Sequence, residues 1–191
     1  MEDLFDLSWR ENLIEIPISE EIKQKAEEKA KEDILNAQNN GLTSRFNTNE
    51  LENKTIGNIG ELIFADWLDS QGVKYQTNEV TGQGDTFDFK IKIDKKDKTI
   101  DVKTGKYSSY PLKWDFTSCF RITERQINEH PSDFYFFIAI YELNAYLCGF
   151  VADVVLRGYP VKRHPTLGFA NYVCYARKLA RPQGIIRLIN G

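Results

Sequence analysis

Apolar positions along the chain change period several times, and each change marks a predicted element. After Ser19, whose hydroxyl suits a helix cap, residues 20–37 (EEIKQKAEEKAKEDILNA) set Ile22, Ala26, Ala30 and Ile34 on a narrow stripe at helical spacing. Glu21 with Lys25, and Glu27 with Lys31, stand one turn apart and support a solvated outer face, so this helix's lysines read as surface charges. A polar loop (39–50) leads to a second helix over residues 57–72 (GNIGELIFADWLDSQG), closed by Gly72.

Helical spacing then gives way to alternation. VKYQ (73–76) predicts a short strand and VTGQGDT (80–86) turns, while FDFKIKI (87–93) and TIDVKT (99–104) predict two strands joined by a charged tip, DKKDK. Beyond a loop rich in Tyr, Lys and Trp (105–119), Thr123 is placed to cap a short helix that ends before Pro131. DFYFFIAIYE (133–142) is apolar almost without a break, as a strand buried on both faces should be; a turn at Leu143 and Asn144 then leads into AYLCGFVA (145–152). NYVCYARKL (171–179) predicts one more strand, followed by a short closing segment after Pro182. No internal repeat or low-complexity linker interrupts the chain.

Composition bounds this picture. With 191 residues, 41% hydrophobic and 13% aromatic, the chain suits a single packed domain: an N-terminal helical part (1–52), a core (53–156) and a C-terminal part (157–191). No stretch approaches about 18 consecutive apolar residues, and the acidic start lacks the order of a signal peptide, so no membrane segment and a cytoplasmic location are expected. Cys119, Cys148 and Cys174 are odd in number and far apart, which fits a reducing compartment and neither a disulfide framework nor a zinc knuckle. The net charge of -3 conceals an asymmetry: residues 1–52 carry 6 basic against 13 acidic side chains, whereas residues 157–191 carry 7 basic and no acidic ones.

The candidate chemistry lies in the hairpin. An acid, any residue, then lysine occurs six times, beginning at Glu21, Glu27, Glu52, Asp88, Asp94 and Asp101, so context must choose. In Asp101-Val102-Lys103 strand alternation holds the carboxylate and the ammonium on one face and turns Val102 into the packed layer. The hairpin brings Asp88, thirteen residues upstream, toward Asp101. Two carboxylates that close repel unless neutralised, and a divalent metal is the usual remedy. Glu61 shares a helix face with Phe64, Ala65 and Leu68, an expensive place for a charge without a partner.

This set of residues resembles the PD-(D/E)XK nuclease superfamily, which includes restriction endonucleases, recombination nucleases and junction resolvases. The resemblance spans residues 57–152 and implies an α/β (α+β) restriction-endonuclease-like core, a central mixed β-sheet flanked by helices. By position, Asp88 matches the first aspartate, Asp101 the second acid, Lys103 the lysine and Glu61 the helical glutamate of many members; Phe87 stands where the motif has proline. Asp85 is the alternative first aspartate, but Asp88 begins the apolar strand. Gln126 is an accessory candidate, since some branches place a glutamine there.

The implied activity is hydrolysis of phosphodiester bonds. Asp88, Asp101, the backbone carbonyl of Val102 and Glu61 would hold Mg²⁺ or Mn²⁺, and Lys103 would orient the nucleophile or stabilise developing charge. Duplex or branched DNA is the expected partner, with a homodimer as one expected assembly. Because a site of acids repels a polyanion, positive charge is expected from the tail (Lys162, Arg163, Arg177, Lys178, Arg181, Arg187), with Lys106, Lys113, Arg121 and Arg125 on the rim.

The plainest alternative is a hairpin with surface charges in which Asp101 and Lys103 merely pair. A competing function is a catalytically inactive nucleic-acid-binding or interaction module on the same fold, whose mark would be a missing carboxylate or lysine. His130 and His164 each precede proline and lack ligand-spaced partners, and Gly82-Gln83-Gly84 lacks the rest of a dinucleotide fingerprint.

Overall fold

The first helix forms because its sequence satisfies its own exposed backbone. Ser19 Oγ accepts the Ile22 N–H at 3.2 Å, and α1 (Glu20–Asn39) runs on with Glu21–Lys25 and Glu27–Lys31 ion pairs of 2.7 and 2.6 Å along its solvated side. Ala26 and Ala30 are fully buried and let a second helix, α2 (Glu50–Ser70), approach closely enough for Asn58 Nδ2 to donate to the Ala26 carbonyl at 3.2 Å. The computed structural model describes residues 11–39, 49–77, 87–108, 119–163 and 169–191.

α2 begins seven residues ahead of the expected start at Gly57, because ELENKTI is good helix-forming sequence behind Asn49. It ends as expected at Gly72. With φ of 68°, Gly72 takes the left-handed conformation, its N–H bonds the Asp69 carbonyl at 2.9 Å, and the Val73 N–H reaches back to Leu68 at 3.0 Å.

Among the described residues the strands form two sheets. The larger comprises β1 (Ile14–Pro17), β2 (Tyr75–Thr77), β3 (Phe89–Ile93), β4 (Lys96–Lys106), β6 (Phe134–Tyr141) and β7 (Asn144–Ala152), in the order β1-β7-β6-β4-β3-β2. β4 and β6 run parallel and the other neighbours antiparallel, so the sheet is mixed. The crossover between β4 and β6 carries β5 (Cys119–Thr123) and α3 (Glu124–Glu129). The smaller sheet pairs β5 with β9 (Ala170–Tyr175) and β9 with β8 (Val161–Arg163). α4 (Asp153–Leu156) follows β7, and α5 (Pro182–Asn190) closes the chain.

The double burial of β6 follows from its lack of polar positions. Phe136, Ile138 and Ile140 enter a core with Ile63, Phe64 and Trp67 of α2, on the side that α5 also covers through Ile185. Tyr135, Phe137 and Ala139 enter a second core with Phe120 and Ile122 of β5, Tyr172 and Cys174 of β9, and Ile127 of α3. Helices therefore cover one face of the main sheet, and the small sheet with α3 covers the other.

Several expected boundaries move. The five-residue tip DKKDK shrinks to Asp94 and Lys95, whose φ values of 50° and 63° make the two-residue turn that matches strand twist, and β4 begins at Lys96. The β6–β7 turn falls on Glu142 and Leu143, one residue earlier than expected, with Glu142 at φ of 52°. NYVCYARKL ends as a strand at Tyr175 and continues as a single 3-10 turn, Ala176–Lys178. The stretches 40–48, 80–86 and 109–118, expected as loops and turns, lie outside the described residues, as does His164. Among the described residues no helix is long and apolar enough to cross a membrane.

Candidate active site

β4 builds the strand side of the site by alternation. Ile100 and Val102 point into the α2 core, while Asp101 and Lys103, in register with Tyr135 and Phe137 of β6, take the opposite face beside α3. Asp101 is only 6% exposed, a costly position for a carboxylate that its partners offset: Oδ1 lies 2.6 Å from Lys103 Nζ and Oδ2 accepts Gln126 Nε2–H at 2.9 Å. Gln126 is delivered by the predicted cap. Thr123 Oγ1 accepts the Gln126 N–H at 3.2 Å, which starts α3 there and leaves the Gln126 side chain facing β4.

Asp88 sits immediately ahead of β3, where the β3–β4 ladder ends at Phe89 and Ile100. Its N–H donates to the Ile100 carbonyl at 3.1 Å, and its Oδ2 accepts the Val102 N–H at 2.6 Å. In an extended strand one residue's N–H and C=O point to the same side, so the Val102 carbonyl also faces the Asp88 side rather than β6. Burial, then the negative charges of Asp101 and Glu61, push the Asp88 carboxyl from an ordinary 3.8 up to about 8, against the Val102 N–H and the charge of Lys103.

A pH dependence follows. The folded chain holds the Asp88 proton up to about pH 8, whereas the unfolded chain releases it near 3.8. Between those values the folded state binds the extra proton, so this group's contribution to stability is complete below the lower value and is lost as pH rises through the upper one. In chelator, the melting temperature is expected to fall from pH 5 to pH 8, and Asp88→Asn to flatten that fall. Parallel profiles for the two proteins would exclude Asp88 as the cause.

Glu61 reaches the site from α2. A Cβ on Gly60 would overlap the Thr104 hydroxyl of β4, so only glycine allows this close approach; the buried Thr104 Oγ1 has no hydrogen-bond partner. Glu61 Oε2 lies 2.6 Å from Lys29 Nζ of α1. Both residues line a cleft of about 270 Å³ with Asp33, Asn58 and Asp88. Asp88 thus belongs to two neighbourhoods, lining this cleft while the charge of Asp101 acts on it from the strand side. Burial lowers the proton affinity of Lys29, but the charges of Glu61, Asp33 and Asp88 outweigh it and raise the ammonium above its usual range.

Lys29 was not legible as a site residue, although a signal existed: Lys29 and Asp33 stand three and seven residues beyond Ala26, on the stripe that meets α2.

Among the described residues no three of His, Cys, Asp and Glu form a ready-made metal-holding group. Asp101 and Glu61 are turned onto lysines of the chain itself, at 2.6 Å each. The donor chemistry at Asp88, Asp101 and the Val102 carbonyl nevertheless fits a hard divalent cation, since all the donors are oxygens and the raised Asp88 carboxyl marks uncompensated negative charge.

The basic candidates divide. Lys106 pairs with Glu52 at 2.7 Å and Arg125 with Glu129 at 2.8 Å, both at the surface. Arg121, Lys162, Arg163, Lys178, Arg181 and Arg187 are exposed, and the Arg177 guanidinium lies 5.9 Å from the Tyr175 ring centre. Pairing of Thr123 with Asn171, and of Asn171 with Lys162, puts Arg121 and Lys162 on one face of the small sheet, the face that includes the cap of α3. Asp85 and Lys113 lie outside the described residues.

No protein-family model matches the chain, and no curated protein matches it.

Proposed function

We propose that this protein is a divalent-metal-dependent nuclease that hydrolyses phosphodiester bonds of DNA, on a restriction-endonuclease-like core. The observation that carries the reading is the buried Asp101, held on one oxygen by Lys103 and on the other by Gln126, beside an Asp88 whose carboxyl it forces upward. A purely structural ion pair gives no reason for a second, repelling carboxylate at the open end of a ladder. The order of elements supports the same reading: a helix bearing Glu61, a hairpin bearing Asp88 and Asp101, then a crossover helix bearing Gln126.

Asp88, Asp101 and the Val102 carbonyl would hold Mg²⁺ or Mn²⁺. Such a cation, when bound, lowers the pKa of water and offsets charge on the phosphate under attack. The chain's own groups do the rest. Gln126 fixes the orientation of Asp101 by occupying Oδ2, so its remaining lone pairs point to one place. Lys103, with a side chain 24% exposed, can present N–H donors to the attacking oxygen or to a non-bridging phosphate oxygen without leaving Asp101. Arg121 and Lys162 offer the phosphate backbone positive charge on the small sheet.

Thermal melting with and without Mg²⁺ or Mn²⁺ tests the binding half of this reading. Saturating cation is expected to raise the melting temperature by about 5–10 °C, through a linkage of about 2.7 kcal/mol at a hundredfold excess over Kd. An unchanged melting temperature at millimolar cation would argue against a metal centre.

A further inference from the structure

We propose that Lys29 is a built-in counter-ion that restricts the centre to one divalent cation, held on the Asp88 and Asp101 side, by occupying Glu61. This rests on the metal-dependent reading above and adds what that reading leaves open, namely how many cations the acids take.

The placement of Lys29 differs from that of its neighbours. Lys25 and Lys31 pair with Glu21 and Glu27, one turn earlier in the same helix, with side chains 61% and 59% exposed. One turn before Lys29 stands Lys25, which offers no partner, and Lys29 instead crosses to α2, where its Nζ lies 2.6 Å from Glu61 Oε2. The cleft around this contact carries three carboxylates, Asp33, Glu61 and Asp88, and Lys29 is the basic residue in its lining. Three carboxylates around one space are what a second hard cation would use, and the ammonium already stands against one of them.

Charge balance points the same way. Lys103 matches Asp101 and Lys29 matches Glu61, while Asp88 Oδ2 receives a backbone N–H, so Glu61, Asp88 and Asp101 together retain one unmatched negative charge. One divalent cation more than compensates it. A second would lie against a fixed ammonium, in a place where like charges repel strongly.

The test counts Mn²⁺ bound per chain, by calorimetry and by the electron-paramagnetic-resonance signal of free Mn²⁺, on the intact protein. Wild type is expected to bind one, and Lys29→Arg one. Lys29→Met and Lys29→Gln, which remove the charge and retain much of the stem, are expected to bind two, and adding Glu61→Gln to either should return the count to one. Two cations on wild type, or one on both charge-removing variants with unchanged melting curves, would overturn the assignment of Lys29 while leaving the metal centre in place. No Mn²⁺ binding by wild type would overturn the metal-dependent reading, and this inference with it.

Discussion

Asp101→Ala and Lys103→Ala each lower divalent-metal-dependent DNA cleavage by on the order of 10²–10³-fold or more, the loss typical when a charge-stabilising group is removed from a pre-organised site. The two variants act differently. Without Asp101 the centre loses the carboxylate that Lys103 and Gln126 hold in place, and with it a ligand for the cation. Without Lys103 the ligands remain, but the positive donor beside the scissile phosphate is gone. Neither change opens a core cavity. Removing Asp101 costs two charge-assisted hydrogen bonds, about 1.5–3 kcal/mol each, but relieves the repulsion it exerts on Asp88. Folding should therefore survive, as circular dichroism and melting of both variants can show. Cleavage within threefold of wild type by either variant would remove that residue from the chemistry.

The largest expected loss of stability lies away from the site. Gly149, opposite the irregularity between Phe137 and Ile138, has φ of 132°, a conformation side chains rarely adopt. A Cβ there would also run into the Ala180 carbonyl, which accepts the Phe150 N–H at 3.0 Å in the bridge tying the C-terminal segment to β7. Backbone strain and overpacking together should cost Gly149→Ala about 3 kcal/mol or more, or roughly 6–12 °C in melting temperature. Gly57→Ala is the contrasting case. Gly57 lies inside α2 with nothing within 4 Å of where a methyl would stand, so alanine should stabilise by about 0.5–1 kcal/mol. Urea unfolding of the two variants checks both signs, and a Gly149→Ala protein as stable as wild type would refute the strain argument.

Local chemistry was legible in the sequence and distant partnership was not. Ser19 and Thr123 could be read as caps because each needs only a backbone N–H two or three residues on. The alternation of Asp101, Val102 and Lys103 was legible because period 2 is fixed by the strand itself. The small sheet was hidden: β8 is a three-residue strand with every residue exposed, and so has no alternation to reveal it. β1, only four residues long, is recognisable as a strand only once β7 pairs with it. Gln126 could be placed on its short helix, but its bond to Asp101 spans 25 positions and depends on how the crossover returns. Lys29 looked like its solvated neighbours because ion-pair spacing in α1 is so regular; only its place beside Ala26 and Ala30 set it apart.

The most direct test of the nuclease reading is incubation of the purified protein with supercoiled plasmid, linear duplex, single-stranded DNA, branched DNA and RNA, each with Mg²⁺, with Mn²⁺ and with chelator, beside Asp101→Asn. The proposed centre predicts cleavage of at least one DNA form that requires the cation and disappears in the variant. No cleavage of any substrate with either cation, or cleavage that persists in chelator and in Asp101→Asn alike, would contradict it.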